Sequence, residues 1–210
     1  MARKRLIRTF LAALAGVLAL LPGGTAALAA PAGLSCPGQT YLQPFLPWLD
    51  PASYVLMAGG AVETTGGAVE TTGGWTLSGG AKLVSGNEPF KVNSPGDGTS
   101  LFLPSGGSAT SPTLCITLLH PTLRFFARNS GSLTSTLKVE AVTELLGMKL
   151  VTPVGLLLAG GSWQPTLPLP FLTNLVSPVT GSVAFRFTPI GFGSSGWQID
   201  DLYVDPYKQG

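Results

Sequence analysis

The sequence has few of the side chains on which most enzyme chemistry depends. Among 210 residues there are one histidine and two cysteines, and charged residues make up 10% of the chain. The sequence has no P-loop, dinucleotide-binding fingerprint, zinc-type ligand spacing or G-x-S-x-G nucleophile elbow. The single histidine, His120, directly precedes Pro121 and has none of the context of a catalytic base. We therefore expect a protein that is not an enzyme.

Long apolar runs are also missing, except at the N-terminus. There, basic residues at Arg3–Arg8 precede an apolar run at Phe10–Leu21 and a small-residue stretch at Ala26–Ala30, as in a secretory signal peptide. The apolar run is shorter than the roughly 20 residues that span a bilayer. We expect residues 1–29 to be cleaved after Ala29 and the mature chain to be secreted, extracellular and not inserted in a membrane.

The mature chain lacks an excess of either charge. Removing residues 1–29 takes away four of the 12 basic residues and leaves all ten acidic ones. The remaining charges are scattered, so no basic patch is available for a phosphate backbone, which argues against nucleic acid as a partner.

The two cysteines lack the partners that a metal site or a thiol nucleophile would need. An even pair in an exported protein normally forms a disulfide. We expect Cys36 and Cys115 to be bonded, closing a loop of about 80 residues and stabilising the fold by about 4 kcal/mol on the chain-entropy model.

The pattern of the mature chain predicts strands. Residues 30–58 form a proline-rich arm, and the segment Ala61–Gly67 is repeated at once as Ala68–Gly74. Short runs of alternating apolar and polar residues follow, separated by Gly, Pro, Ser and Asn. The expected strands are Trp75–Val84, Ser100–Leu103, Thr113–Leu119, Leu123–Asn129, Ser135–Leu145, Lys149–Val151, Val154–Leu158, Ser182–Thr188 and Trp197–Val204.

Eight or nine such strands without a sustained helical period indicate an all-β domain over residues 59–210. A two-sheet antiparallel β-sandwich of the jelly-roll type hides most strand edges, so we expect this architecture.

Three segments resemble a known family. Gly74-Trp75 with Gly79-Gly80, the strand Gly98–Leu103 and the C-terminal run Gly196–Pro206 resemble the galactose-binding-like jelly rolls of carbohydrate-binding modules. The arrangement is also similar to small secreted bacterial proteins to which no activity is attached.

The resemblance implies a structural calcium ion held by an acidic residue near the first strand and an aspartate of the last. Carried over, the ligands are Glu70 and Asp200, with Glu63 and Asp201 as alternates. Glu70 is preferred for its spacing to the following Gly-Trp, and Asp200 because it shares strand phase with Leu202.

The expected partner is a glycan, such as a cell-wall polysaccharide, or another envelope component, bound by a monomer. Sugar binding needs aromatic faces and planar polar groups, and Phe126 lies on the polar phase of its strand between two arginines. The ligand-binding candidates are Phe126, Arg124, Arg128, Arg186 and Trp75. The alternative is a structural or protein-interaction domain without affinity for sugars.

Overall fold

The computed structural model describes residues 36, 38–63, 74–117, 122–145, 147–171, 181–191 and 196–205. The described residues all belong to one compact unit that starts at Gly33. The predicted signal peptide, His120 and most of the duplicated segment, including Glu70, lie outside the described residues. Within the described part of the chain, no helix is long and apolar enough to cross a membrane.

The described residues form fourteen strands in two antiparallel sheets, with one 3-10 turn at Leu46–Trp48. The predicted all-β sandwich is therefore confirmed. The strands are β1 Tyr41–Leu42, β2 Tyr54–Leu56, β3 Thr76–Ser78, β4 Lys82–Ser85, β5 Thr99–Pro104, β6 Ser108–Thr110, β7 Leu114–Ile116, β8 Thr122–Asn129, β9 Thr136–Leu145, β10 Met148–Leu157, β11 Gln164–Pro165, β12 Leu169–Pro170, β13 Gly181–Ile190 and β14 Gly196–Asp205.

Sheet A is built around the last strand. Its main order is β1-β2-β14-β5-β4, and β8 also pairs with β14 and carries the short strands β11 and β12. Sheet B has the order β10-β9-β13-β6-β3, and β7 pairs with β13. The early strand β2 lies beside the last strand through the pairs Tyr203–Leu56 and Val204–Val55.

The predicted strand Trp75–Val84 is divided between the two sheets, because β3 belongs to sheet B and β4 to sheet A. The chain turns between them at Gly79 and Gly80, whose φ angles are 59° and 84°. A Cβ atom on Gly79 would lie 2.2 Å from the carbonyl oxygen of Gly106. Glycine is therefore required at Gly79 both for its backbone conformation and for this close approach.

The inner faces of the two sheets form the main core. In β8, Leu123, Phe125 and Ala127 point into this core, as the alternation predicted. From the last strand, Trp197 and Ile199 enter the same core and are fully buried. Each large apolar side chain buried in this way stabilises the fold by about 1.5–3 kcal/mol.

The described part of the arm, residues 38–58, covers the outer face of sheet A. A disulfide joins Cys36 to Cys115, as expected, and so connects the start of the arm to β7 of sheet B. Further along, Phe45 is fully buried in a second aromatic cluster outside sheet A. The members of this outer cluster are Phe45, Tyr54, Phe126, Trp163 and Tyr203.

Candidate functional site

Two adjacent aspartates, Asp200 and Asp201, lie in the middle of β14, and each is 1% exposed. The pairing of β14 with β8 shifts register after Asp200, and Asp201 has a left-handed φ of 47°. Because of this bulge, Ile199 and Leu202 both point into the main core. Asp200 lies opposite Phe126 of the outer cluster. The prediction that Asp200 shares a strand face with Leu202 is therefore wrong.

The carboxylate of Asp200 has hydrogen-bond partners from the protein. Its Oδ2 accepts a hydrogen bond from the Glu88 main-chain N–H at 3.1 Å, and its Oδ1 accepts one from the Asp201 N–H at 3.0 Å. Burial, followed by the charge of Asp201, raises the pKa of Asp200 to about 9. These contacts bind Asp200 to the loop that follows β4, residues 86–98.

The carboxylate of Asp201, in contrast, has no partner. Both of its oxygens are buried, and neither accepts a hydrogen bond of ordinary geometry. The main-chain N–H of Asn93 lies near enough to lower the pKa of Asp201 to some extent. Burial, followed by the charges of Glu88 and Asp97, raises the pKa of Asp201 to about 8, and Glu63 adds to the effect. A buried carboxylate without a partner costs several kcal/mol, so this group needs a proton or a cation.

The surrounding carboxylates are held by main-chain amides or amide side chains. Glu63 accepts hydrogen bonds from the N–H groups of residues 98 and 99 at 2.8 and 2.9 Å. Glu88 is fully buried and accepts from the N–H groups of residues 90 and 92. Asp97 accepts from Asn93 Nδ2 at 3.0 Å. We call Glu63, Glu88, Asp97, Asp200 and Asp201 the acidic cluster.

Positive charge at the acidic cluster is scarce. Lys91 donates to the carbonyl oxygens of Pro95 and Asp97 at 3.3 and 2.6 Å. Across the described ranges, no lysine or arginine forms an ion pair with a carboxylate of the cluster. No group of three or more His, Cys, Asp or Glu side chains among those residues could hold a metal ion by itself. A cation here would therefore need main-chain oxygens or water in addition to carboxylates.

Perturbed carboxyl groups that come together can mark an active site, but the two aspartates are out of reach of a substrate. Asp200 and Asp201 are almost completely buried, and neither lines the two clefts described below. A general acid or base must come within hydrogen-bond distance of the reacting group. Neither aspartate is therefore placed to act as a general acid or base on a substrate in these clefts.

The structure corrects the prediction that Phe126 and Arg124 face a ligand. Both lie on the outer face of sheet A, as the alternation predicted, but the arm covers them. The Phe126 ring is fully buried and packs 5.6 Å from the Phe45 ring and 5.4 Å from the Trp48 ring. Arg124 is 5% exposed and lies over Phe45. Aromatic side chains of the arm therefore cover the surface that β8 alone would expose to a ligand.

Arg128 lies on the same face but beyond the cover of the arm, and it remains partly exposed. Its Nε donates to Oε1 of Gln198, and its guanidinium lies 5.3 Å from the centre of the Trp163 ring. Gln198 is directly opposite both Arg128 and Phe102, and Phe102 is opposite Lys82. Directly opposed residues share a sheet face. We call Arg128, Gln198, Phe102 and Lys82 the Arg128 patch.

The remaining two candidates do not join this surface. Trp75 is buried in the main core and donates its Nε1–H to the Gly59 carbonyl oxygen at 2.8 Å. Arg186 lies on sheet B and pairs with Glu140 at 2.9 Å. Burial raises the pKa of Glu140, but the hydrogen bonds from Arg186 and Lys138 lower it more, so the pKa lies below the ordinary value. Neither Trp75 nor Arg186 is near the Arg128 patch in the sheet order.

Some residues of both sites could not be identified from the sequence. Glu88 and Asp97 belong to a loop without alternation, and only folding brings them to the last strand. Phe102 and Gln198 lie within the predicted strands Ser100–Leu103 and Trp197–Val204, but no phase was assigned to them there. Nothing in the sequence indicated that Gln198 would hold Arg128 in place.

The fold is similar to that of several solved structures. It is similar to the CBM22-1–GH10 modules of the Clostridium thermocellum xylanase 10B complexed with xylohexaose, with 13% identity, a TM-score of 0.46, and coverage of 65% of this chain and 26% of that chain. This chain thus spans about a quarter of that structure. It is also similar to the CBM22-1 xylan-binding domain of Paenibacillus barcinonensis Xyn10C, with 14% identity, a TM-score of 0.45, and coverage of 67% and 90%.

A further similar structure is TmCBM61 in complex with β-1,4-galactotriose, with 15% identity, a TM-score of 0.35, and coverage of 62% of this chain and 86% of that one. No protein-family model and no curated protein matches the sequence. These structural neighbours are carbohydrate-binding modules, the class that the sequence motifs resemble. Since the likenesses are distant, we base the functional proposal on the residues of this chain.

Proposed function

We propose that the chain is a secreted, non-catalytic module that binds a polysaccharide or another glycan of the cell envelope through the Arg128 patch. The observation that carries this proposal is the fixed guanidinium of Arg128, held between Gln198 and the Trp163 ring at the uncovered end of sheet A. The patch combines this guanidinium with an amide, a half-buried aromatic ring at Phe102 and the exposed Lys82.

These groups match the chemistry of a sugar chain. Arginine carries five N–H donors in one plane, and its contact with Gln198 engages Nε. Gln198 is 7% exposed, so its amide positions the guanidinium, and the remaining N–H groups of Arg128 can bind neighbouring hydroxyl groups. An aromatic ring beside them offers an apolar face to the C–H groups of a sugar. Because Gln198 and Trp163 hold Arg128 in place, little side-chain entropy is lost on binding.

Depletion assays with insoluble xylan, cellulose and the cell wall of the producing organism test this function. We expect retention on at least one of these glycans and a loss of about tenfold in affinity, or about 1.4 kcal/mol, for Arg128→Ala and Phe102→Ala. Arg186→Ala removes a partly exposed arginine from the other sheet and is the matched control. The proposal is wrong if Arg128→Ala and Phe102→Ala both bind like the parent chain, or if no glycan retains the protein.

A calcium ion is the second part of the proposal. We assign Asp201 as one ligand and Glu63, or its duplicate Glu70, as another, with main-chain carbonyl oxygens completing the six to eight oxygens that calcium takes. The support is the buried carboxylate of Asp201, whose oxygens have no partner. The bound ion would neutralise charge that the described residues leave uncompensated. Calorimetric titration of chelator-treated protein should give one calcium ion per chain, and no binding by Asp201→Asn.

An interaction module without affinity for sugars is the competing function, and one surface favours it. A cleft of about 550 Å³ opens beside the end of β10, and its floor reaches Trp197. Leu156, Leu158 and Leu167 line it and are 66%, 75% and 79% exposed. Exposed apolar surface of this kind marks interaction sites. Two results together would support this alternative. The parent chain would bind a cell-surface partner but no glycan, and a double Leu156→Ser, Leu158→Ser variant would lose that partner.

Secretion and the monomeric state are also part of the proposal. N-terminal sequencing of the exported protein should give Ala30 as its first residue. Sedimentation of the mature chain should give the mass of one copy at micromolar concentration.

A further inference from the structure

A second cleft, which we call the arm pocket, lies where the arm meets the start of β8. It has a volume of about 390 Å³, within the range of about 300–1,000 Å³ that is usual for ligand pockets. The arm contributes Trp48 and Asp50 to its wall, β8 contributes Arg124, and the end of β14 contributes Asp205. The pocket is separate from the Arg128 patch, with which it shares no residue.

Asp50 is the best-fixed polar group of the arm pocket. Its Oδ1 accepts a hydrogen bond from the Ala52 N–H at 3.0 Å, and its Oδ2 accepts one from the Tyr54 hydroxyl at 2.7 Å and one from Arg124. Burial acts against its charge, but these bonds hold the pKa of Asp50 below the ordinary value. Burial and the nearby Asp50 raise the pKa of Tyr54, which therefore stays a donor. The carboxylate is thus ionised and fixed in position.

Arg124 is equally well positioned. Its side chain is 6% exposed, its Nε donates to the Thr166 carbonyl oxygen at 2.7 Å, and its guanidinium pairs with Asp50. The Phe45 ring lies 4.2 Å below the guanidinium carbon. A rigid pair of a carboxylate and a guanidinium, one accepting and one donating, therefore borders the cleft.

The other walls add mixed chemistry. Thr122 lies opposite Asp205 in the ladder, and its buried hydroxyl has no hydrogen-bond partner. The indole of Trp48 forms an apolar wall. Leu49 and Leu167, which are 93% and 79% exposed, stand at the rim. The pocket therefore presents the acceptor Asp50 and apolar surface side by side.

Charge and polarity exclude several classes of ligand. The ion pair of Asp50 and Arg124 carries no net charge, so it offers no excess positive charge to a phosphate or another anion. The charged pair disfavours an acyl chain, since covering it with hydrocarbon would cost desolvation energy. A sugar ring remains, because its hydroxyl groups both donate and accept and its C–H face is apolar.

We propose that the arm pocket binds a single terminal sugar residue, with Asp50 accepting from its hydroxyl groups and Trp48 packing against its C–H face, while the buried Arg124 holds Asp50 in position. This inference rests on the proposed preference for saccharides but assigns a second site, built by the arm. The Arg128 patch binds along a chain, whereas the arm pocket binds its end.

The test uses the mature chain and free monosaccharides, namely xylose, glucose, galactose and N-acetylglucosamine. Each is added to about 20 mM, above the Kd near 1 mM of a weak site, and binding is followed by saturation-transfer NMR and tryptophan fluorescence. We expect at least one sugar to bind and Asp50→Asn to weaken it about tenfold, or about 1.4 kcal/mol. Asp205→Asn, which leaves the buried ion pair intact, should weaken binding to a smaller degree.

Arg128→Ala is the matched control, because it alters the other site and leaves the arm pocket intact. Melting curves of each variant separate loss of binding from loss of folding. The inference is overturned if no sugar binds, if both aspartate variants bind like the parent chain, or if Arg128→Ala alone abolishes binding. Polysaccharide retention that depends on Arg128, without monosaccharide binding, would leave the proposed function standing and remove only this second site.

Discussion

Replacing Asp201 by asparagine should stabilise the calcium-free protein, although most substitutions of buried residues destabilise. The substitution removes a carboxyl group whose two oxygens are buried without a partner. It also suits the backbone, because Asp201 has a φ of 47° and asparagine adopts this left-handed region more readily than most residues. The charge of Asp201 is useful to the folded chain only when a cation is present.

The size of the effect follows from the pKa of Asp201, which is raised to about 8 from the ordinary 3.8. At about 1.36 kcal/mol for each pH unit, the buried carboxyl group costs at most roughly 5 kcal/mol at pH 8. The variant leaves a buried amide that still needs hydrogen bonds. We therefore expect a net gain of about 1–3 kcal/mol in the presence of EDTA.

Calcium should reverse the order of the two proteins. At a calcium concentration of about 100 times Kd, binding adds about 2.7 kcal/mol to the parent chain and nothing to the variant. At about 2–4 °C for each kcal/mol, the parent chain should melt below Asp201→Asn in EDTA and above or level with it in calcium.

Differential scanning calorimetry at pH 8, with and without calcium, measures both transitions. Glu144→Gln, which alters an exposed carboxylate on sheet B, is the matched control and should change neither. The reasoning is refuted if Asp201→Asn melts lower than the parent chain in EDTA, or if the variant still gains stability from calcium.

Three further outcomes are expected. In EDTA, urea titrations should show the free energy of unfolding falling between about pH 5 and pH 8. The folded-state pKa values of Asp200 and Asp201, about 9 and about 8, lie above the ordinary value, so the stability due to protonation is lost as pH rises. A free energy of unfolding that rises steadily over this window would contradict the prediction. Phe45→Ala should lower the free energy of unfolding by about 3–5 kcal/mol, since Phe45 is fully buried among four aromatic rings. A decrease of less than about 1 kcal/mol would show that the arm is loosely held. Removing the disulfide by a double Cys36→Ser, Cys115→Ser change should lower stability by about 4 kcal/mol without loss of the β-sheet circular dichroism; unchanged stability would contradict the role of the disulfide.

Local sequence patterns predicted the longer strands but missed the short strands β1, β2, β6, β11 and β12. The alternation of Leu123, Phe125 and Ala127 against Arg124, Phe126 and Arg128 assigned the two faces of β8 correctly, because side chains of a strand point to opposite sides in turn. The pairing of the two cysteines was confirmed as well, since a chain with only two cysteines offers one intramolecular pair.

The alternation failed where the backbone departs from a regular strand. The bulge at Asp201 reversed the phase of β14, and no periodic pattern reports an extra residue of this kind. The predicted calcium site was placed on the last strand. The loop at residues 86–98 then determines which of the two aspartates of that strand lacks a hydrogen-bond partner. Glu88 and Asp97 reach the site from that loop, more than 100 residues before Asp201 in the sequence.

Local geometry and composition were enough to predict that the chain forms antiparallel strands, which side chains alternate along them and which cysteines can pair. Which outward-facing residues remain accessible depends on long-range packing. The arm closes over Phe126 and Arg124 and leaves Arg128 uncovered, because aromatic side chains distant in sequence gain more from packing on that sheet face than from exposure to water.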